Sequence, residues 1–481
     1  MPGFVTLCPD MPDQAFDTLD YWRRRTHQLR EGLLRRIDDL SASDYPEASA
    51  SYIIEFLLAF FEELGARIDK ASSEQELRFI SQLIQTSGIF LQWLDNAHTA
   101  QTPRALALLL KELMDRMQPQ SVVLVVPQAE YNYGINDLGP KLKWYVEEFI
   151  PHSRQSRFEK FVNAPLKLVA FPRIERDNLR AHAIFGHELG HPVADDFLDW
   201  EALQPEGKNA QAEANAKVAQ LVETSLKSRP DLADRALEIS VRTLDRVLEI
   251  RNRALQELVS DAVGIHIFGP SALFAMHELL WHGDWDLPPQ QPQWYPPSRM
   301  RLRLMLQVLD EKKSLELLTS CEGSISKKYM ADVAAFIQHS RAIAGETTDQ
   351  SALKSEPDVL IAYEWVAASL PAALKFAAEK SGPVLYDISV AQKHLPELLE
   401  RIELGIPPNE VGDPLAPETV DVRSPLLASW VYKTKGVDAR TGQPLSLKDI
   451  DKLNLQTLLA VEYVLLRGKY EQHTAATEVQ K

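Results

Sequence analysis

Residues 183–193 read AIFGHELGHPV, and the fold and chemistry of the chain turn on whether His187 and His191 hold a metal or fill a helix. An α-helix advances 3.6 residues per turn, so imidazoles four apart stand one above the other on one face, within reach of a single ion. Glu188 is turned about 100° from His187, where its carboxylate could reach a water beside that ion. In a chain with 12 histidines a His-Glu-x-x-His pattern arises by chance on the order of a few times in a hundred, so it needs support from elsewhere.

The flanking residues supply some of it. In RDNLRAHAIFGHELGHPV, residues 176–193, Ala183, Ile184 and Leu189 fall where a buried helix needs them, so the histidines face an interior, and buried imidazoles need partners. A second segment, NRALQELVSDAVGIHIFGP at 252–270, places Glu257 and Asp261 four apart on one helical face. A surface pair of acids is the plain alternative, but Leu255, Leu258, Val259, Ala262 and Val263 make this helix largely interior. A catalytic zinc commonly takes two imidazoles and a carboxylate and keeps a fourth position for water. One of the two acids could ligate, while the other accepts a hydrogen bond from the far nitrogen of a ligating histidine.

HELGH at 187–191 followed by Glu257-x-x-x-Asp261 resembles the gluzincin branch of zinc metallopeptidases, which includes thermolysin and the CAAX prenyl protease group. The resemblance implies His187, His191 and Glu257 as Zn2+ ligands, Glu188 as general base and Asp261 as the support of a ligand histidine. WYPPSRMRL, residues 294–302, is similar to a stretch of the CAAX group and its soluble relatives in which Thr-His-Pro-Pro is followed by an arginine. Trp294 and Tyr295 stand where that threonine and histidine would be, and Arg301 matches the arginine. Tyr295 or Arg301 is then the candidate donor to a tetrahedral oxyanion. Two departures stand out: the histidine is a tyrosine here, and Pro192 directly after His191 predicts a helix that kinks or ends there. The resemblance covers about residues 175–310.

Composition narrows the class. With 481 residues and 45% hydrophobic content the chain can bury a substantial core, and a net charge of −16 repels phosphate backbones, so no nucleic-acid partner is expected. The N-terminal MPGFVTLCPDMPDQAFD lacks the features of a secretory signal. The apolar run Phe56–Phe61 falls far short of the roughly 20 residues that cross a bilayer, so no membrane association is expected. Two cysteines, Cys8 and Cys321, make no disulfide framework, and a reducing cytoplasm is the default location.

Apolar positions at three- and four-residue spacing predict helices over about 14–40, 46–68, 73–96 and 103–117. The arginine-rich YWRRRTHQLREGLLRRIDD reads as a solvated amphipathic helix rather than a nucleic-acid patch. SVVLVV at 121–126 and LKLVAF at 166–171 are short, apolar and β-branched, the best strand candidates, with turn residues following the first. The second, just upstream of the histidine helix, is where an extended peptide could add as a strand. Helices follow over about 209–227 and 231–267, then the proline-rich DLPPQQPQWYPPSR, and a mostly helical remainder from 312. The expected architecture is mainly α: a zincin-like catalytic core with a small β element over 119–311, between helical domains at 1–118 and 312–481.

His182 lies about 140° around the helix from His187 and is not expected to ligate. His266 and His277 read as structural or surface residues, with His282 the one to test as an auxiliary group. The function expected from the resemblance is that of a soluble, cytoplasmic zinc endopeptidase acting on a restricted set of protein or peptide substrates through a zinc-activated water. The flanking helical domains leave room for a regulatory partner protein. Two alternatives stay open: a helical regulatory or interaction protein in which the zinc site is structural, and a hydrolase of non-peptide amides.

Overall fold

Helical periodicity is realised along most of the chain: in the computed structural model, which describes residues 17–281, 284–321, 323–345, 356–413, 415–438 and 442–479, the fold is mainly α. The chain divides into two compact units, one formed by residues 1–98 and 138–164 and the other by 99–137 and 165–481.

The first unit holds α1 (Thr18–Ser41), α2 (Ser49–Lys70), α3 (Glu74–Thr86) and α4 (Gly88–Ala97). Asp17 caps α1 by accepting the Asp20 N–H at 3.1 Å, and Ser73 caps α3 by accepting that of Glu76 at 3.2 Å. The single helix expected over 73–96 is two, parted at Ser87, whose hydroxyl donates to the Leu83 carbonyl at 2.8 Å. Arginines of α1 are engaged within the unit, Arg36 with Asp95 and Arg30 with the Phe61 carbonyl.

The chain then passes to the second unit for α5 (Arg104–Met117), β1 (Val122–Gln128) and β2 (Gly134–Asp137). It returns to the first for α6 (Gly139–Phe149) and α7 (Glu159–Val162). These late helices explain the apolar run at 56–61, whose rings need partners: Phe60 meets Phe149 at 6.4 Å between centroids, and Phe56 meets Phe161 at 5.6 Å.

In the second unit β3 (Leu166–Pro172) pairs in parallel with β1, Val169 opposite Val125, and antiparallel with β2, Val169 opposite Ile135. The order β1-β3-β2 corrects the expectation of strand addition at 166–171: β3 is central and both its edges are hydrogen-bonded. Among the described residues β2 is the edge strand on the opposite side from β1.

After β3 come α8 (Phe185–Glu188), α9 (Gly190–Leu203), α10 (Pro205–Ser228), α11 (Ala236–Phe268), α12 (Pro270–Leu280), α13 (Ser298–Glu311), α14 (Ser314–Thr319), α15 (Ser324–Ala344) and α16 (Pro357–Lys380). Then follow α17 (Ile388–Leu404), a two-stranded β4–β5 pair (Glu410–Val411, Glu418–Thr419), α18 (Ser424–Thr434) and α19 (Leu447–Val479). Neither unit boundary falls at 118/119 or 311/312. Leu106, Leu109, Leu110 and Leu113 of α5 are buried in the same apolar core as α11, and so are Leu315, Val333, Leu395, Trp430 and Val461 from the helices beyond 312. Among the described residues α16 is the one helix long and apolar enough to cross a membrane by length and composition, and it packs on α10 and α11.

α11 is the axis of this unit, buried from Ala254 to Phe268 apart from Gln256. The segments α8 and α9 approach it very closely because Gly186 and Gly190 have no side chains. A Cβ at Gly190 would lie 2.4 Å from the Ser260 Cα, and one at Gly186 would lie 2.9 Å from the Gly264 Cα. The Gly190→Ala substitution gains up to about 1 kcal/mol of helix propensity. Even so, we expect a net loss of about 1–3 kcal/mol, because two backbones must part to admit a methyl group. Urea unfolding reads this directly, and an alanine variant as stable as wild type would show that the contact is slack.

Candidate metal centre

Pro192 shapes the helix that carries both histidines, though not where the sequence placed the effect. Its ring crowds the carbonyl four residues earlier and it offers that carbonyl no N–H. The helix accordingly breaks at Leu189, between α8 and α9, then resumes through Pro192 to Leu203 rather than ending. His187 thus lies near the end of one segment and His191 near the start of the next, with ring centroids 4.9 Å apart and planes at 82°.

His187 is gripped from α11. Its Nδ1 lies 2.8 Å from Asp261 Oδ1, and its Nε2 lies 3.3 Å from Glu257 Oε2. With Nδ1–H donated to Asp261, Nε2 is the nitrogen turned toward Glu257 and the cleft. His191, more exposed, has Nδ1 3.2 Å from the buried Ser260 hydroxyl and Nε2 3.9 Å from Glu188 Oε2. Donor atoms of His187, Glu188 and His191 all lie within 4.8 Å of one another. Glu257 flanks this trio on the His187 side.

Two arginines hold the acids of α11. Arg301 donates to both oxygens of Asp261, Nε to Oδ2 and Nη2 to Oδ1, each at 2.8 Å, and its Nη1 is 3.2 Å from Glu257 Oε2. Arg253 Nη2 reaches Glu257 Oε1 at 2.9 Å. This alters the reading of Arg301: its donors are committed to two carboxylates, so it positions Asp261 and Glu257 and has little left for an oxyanion. Tyr295 lies at the cleft with its ring 4.7 Å from the Arg253 guanidinium. The positive φ of 52° at Trp294 accompanies an inward indole and an outward Tyr295.

Charge and burial tune these groups in different directions. Burial by itself would depress His187, but the charge and hydrogen bond of Asp261, with help from Glu257, raise it to about 9. Burial, then the neighbouring His187 charge, lowers His191 to about 4. Burial lifts Glu188 to about 7 against the pull of His187. Burial also works upward on Glu257 and Asp261, yet Arg301 foremost and His187 next hold both well below the usual carboxylate range.

The donor set fits zinc. Two imidazoles with carboxylates suit that ion better than the all-oxygen shells of magnesium or calcium. The 3.3 Å between His187 Nε2 and Glu257 Oε2 matches the spacing of roughly 3.3 Å between neighbouring ligands about 2.0 Å from a tetrahedral centre. An ion would lie among His187, Glu188 and His191, whose donor atoms converge; Glu257 is near His187 Nε2 but outside that converged group, and both its oxygens meet arginines.

These groups line one side of a cleft of about 580 Å3. Tyr131, Asn132 and Tyr133, which lead into β2, form part of its wall, and Gln290, Gln291 and Gln293 another. Every residue singled out for the site, His187, Glu188, His191, Glu257, Asp261, Tyr295 and Arg301, is therefore in or against this one cleft. Ser260 and Arg253 escaped the sequence reading, although they fall three after and four before Glu257 and so share its helical side. His182 is packed among Tyr133, Phe171 and Phe185, away from the ligand set. His277 stacks on Trp281 and meets Phe336 edge-on, and His282 lies outside the described residues. No family model, curated protein or solved structure matches this chain.

Ser260→Ala removes the partner of His191 Nδ1, and the affinity for zinc should fall about 10- to 100-fold in competition with a chromophoric chelator. Unchanged affinity would mean that the hydroxyl does not orient the ring. Burial holds His182 down at about 3, so it stays neutral when folded and takes up a proton on unfolding below its ordinary value near 6.5. Its contribution is complete above that value and is lost as pH falls toward 3. His182→Phe should therefore flatten the decline of the urea midpoint between pH 6.5 and 4, and an unaltered slope would refute the assignment.

Proposed function

We propose that the chain is a zinc-dependent endopeptidase of the gluzincin type, hydrolysing peptide bonds in a restricted set of protein substrates. One observation carries the reading: Asp261 holds His187 Nδ1 at 2.8 Å, so that Nε2 faces the cleft beside Glu257 while Glu188, among the described residues, forms no ion pair with the arginines that bind the other acids. In this reading the small β1-β3-β2 sheet with α8, α9 and α11 is a zincin-like core. Held by His187, His191 and Glu257, zinc would supply Lewis acidity to the scissile carbonyl and lower the pKa of a neighbouring water.

The chain's own residues do the rest. Glu188, its carboxyl lifted by burial to about 7, accepts the proton that the attacking water loses and returns it to the departing amine, so the proton count balances. Asp261 keeps His187 in one tautomer, and Arg301 keeps Asp261 ionised. Tyr295 offers a hydroxyl as donor to the oxyanion. An extended substrate can add to β2, because that strand is at an edge and the residues leading into it line the cleft.

A second reading gains from an observation that weighs against Glu257 as a catalytic-zinc ligand: both its oxygens are taken up by Arg253 and Arg301. On that reading the chain is a helical regulatory or interaction protein whose zinc site is structural. A closed structural site has no use for a base, however, and Glu188 lines an open cleft. The variant Glu188→Gln separates the two. We expect zinc to remain at about one per chain while cleavage of a proteome-derived peptide pool drops about 100-fold or more. Undiminished cleavage would defeat the assignment of Glu188, and a zinc-loaded wild type that cleaves nothing in the pool would favour the structural reading.

A further inference from the structure

A second groove, of about 740 Å3, lies between α13 and α16 at the end of α11. That size is in the range of sites for small organic ligands. Two deeply buried residues border it, His266 and Tyr363, only 3% and 5% exposed. The His266 Nδ1 and the Tyr363 hydroxyl have no hydrogen-bond partner among the described residues, a cost that native interiors rarely carry without a reason. Met300, Leu360, Leu370 and Leu374 supply apolar walls. Pro371, inside α16, leaves the Ala367 carbonyl without its helical donor, and both residues line the groove.

Charge at the groove is uneven. Glu364 is paired with Lys217 at 2.8 Å, Glu311 accepts from Gln307 at 2.9 Å, and Lys375 is 4.0 Å from Glu379. Lys312 lines the groove with His266, is half-buried and makes no ion pair among the described residues; burial lowers its pKa. An ammonium in that setting gains from an anion brought by a ligand.

We propose that this groove is a binding site for a medium-chain organic carboxylate, its head at Lys312 and His266 and its chain along Met300, Leu360, Leu370 and Leu374. The site is distinct from the metal centre but mechanically joined to it. His266 shares α11 with Glu257 and Asp261, and Met300 immediately precedes Arg301, which grips both acids. Occupancy of the groove therefore bears on the pose of Arg301, a consequence that rests on the zinc reading above.

Calorimetric titration of the full chain with octanoate, with 1-octanol as the uncharged control, tests the site. Octanoate should bind saturably at about one per chain, and 1-octanol and the Lys312→Met variant should each show affinity lower by about tenfold or more. Ala367→Trp, at an exposed rim position, should abolish binding while circular dichroism stays unchanged. Absence of saturable binding, equal affinity for 1-octanol, or octanoate uptake by Ala367→Trp equal to wild type would each overturn the proposal. Zinc affinity measured with the groove saturated should shift about fivefold, and an unchanged value would overturn the coupling. A chain that takes up no zinc defeats the metallopeptidase reading instead, and the octanoate titration still judges the groove.

Discussion

Everything at the candidate metal centre depends on how closely two helical segments lie against α11. Gly186 and Gly190 meet Ser260 and Gly264 with no room for a methyl group between them, and that proximity brings the histidines within hydrogen-bonding distance of side chains on the long helix. Asp261 can reach His187, and Ser260 can reach His191, only because the backbones almost touch. The glycines of HELGH's neighbourhood are thus as much a part of the chemistry as the imidazoles they precede.

On that contact stands a buried charge network. Glu257 and Asp261 are almost wholly removed from water, a placement that is unfavourable unless each charge is matched. Arg301 meets both, Arg253 meets one, and His187 lies between them, so each acid has a compensating group. Among Glu188, Glu257 and Asp261, Glu188 is the exception: no arginine among the described residues pairs with it, and burial pushes its pKa upward where the other two are pulled down. The difference among the three carboxylates, two held as anions and one raised by burial, follows from which of them the arginines reach.

Much of this was legible in the residues. Four-residue spacing placed His187 over His191 and Glu257 over Asp261, and β-branched runs marked β1 and β3 within a residue or two. What escaped was tertiary. β2 is four residues long, Gly-Ile-Asn-Asp in a polar stretch, too short to show alternation, and it is a strand because β3 has a free side to pair. Helix α5 has the same periodicity as α1 to α4, so only its packing on β1 and α19 could assign it to the other unit. Arg301 was recognised by position, but whether an arginine points its donors at a substrate or at its own scaffold is decided by neighbours that sequence does not reveal. In α16, Glu364 and Lys375 break the apolar run without breaking the helix, so a search for uninterrupted apolar residues passes it over.

The path of the backbone between the two units has a consequence for synthesis. The first unit takes residues from both sides of α5, β1 and β2, and the parallel pairing of β1 with β3 closes over the stretch that contains α6 and α7. On a ribosome the ring cluster around Phe56 and Phe60 must wait for Phe149 and Phe161 to emerge, by which time β1 has already appeared and is without β3. The unit that starts first therefore cannot close until the opening elements of the second have emerged, and an unpaired apolar strand is exposed meanwhile, which makes nascent-chain aggregation, more than equilibrium stability, the hazard this topology has to survive.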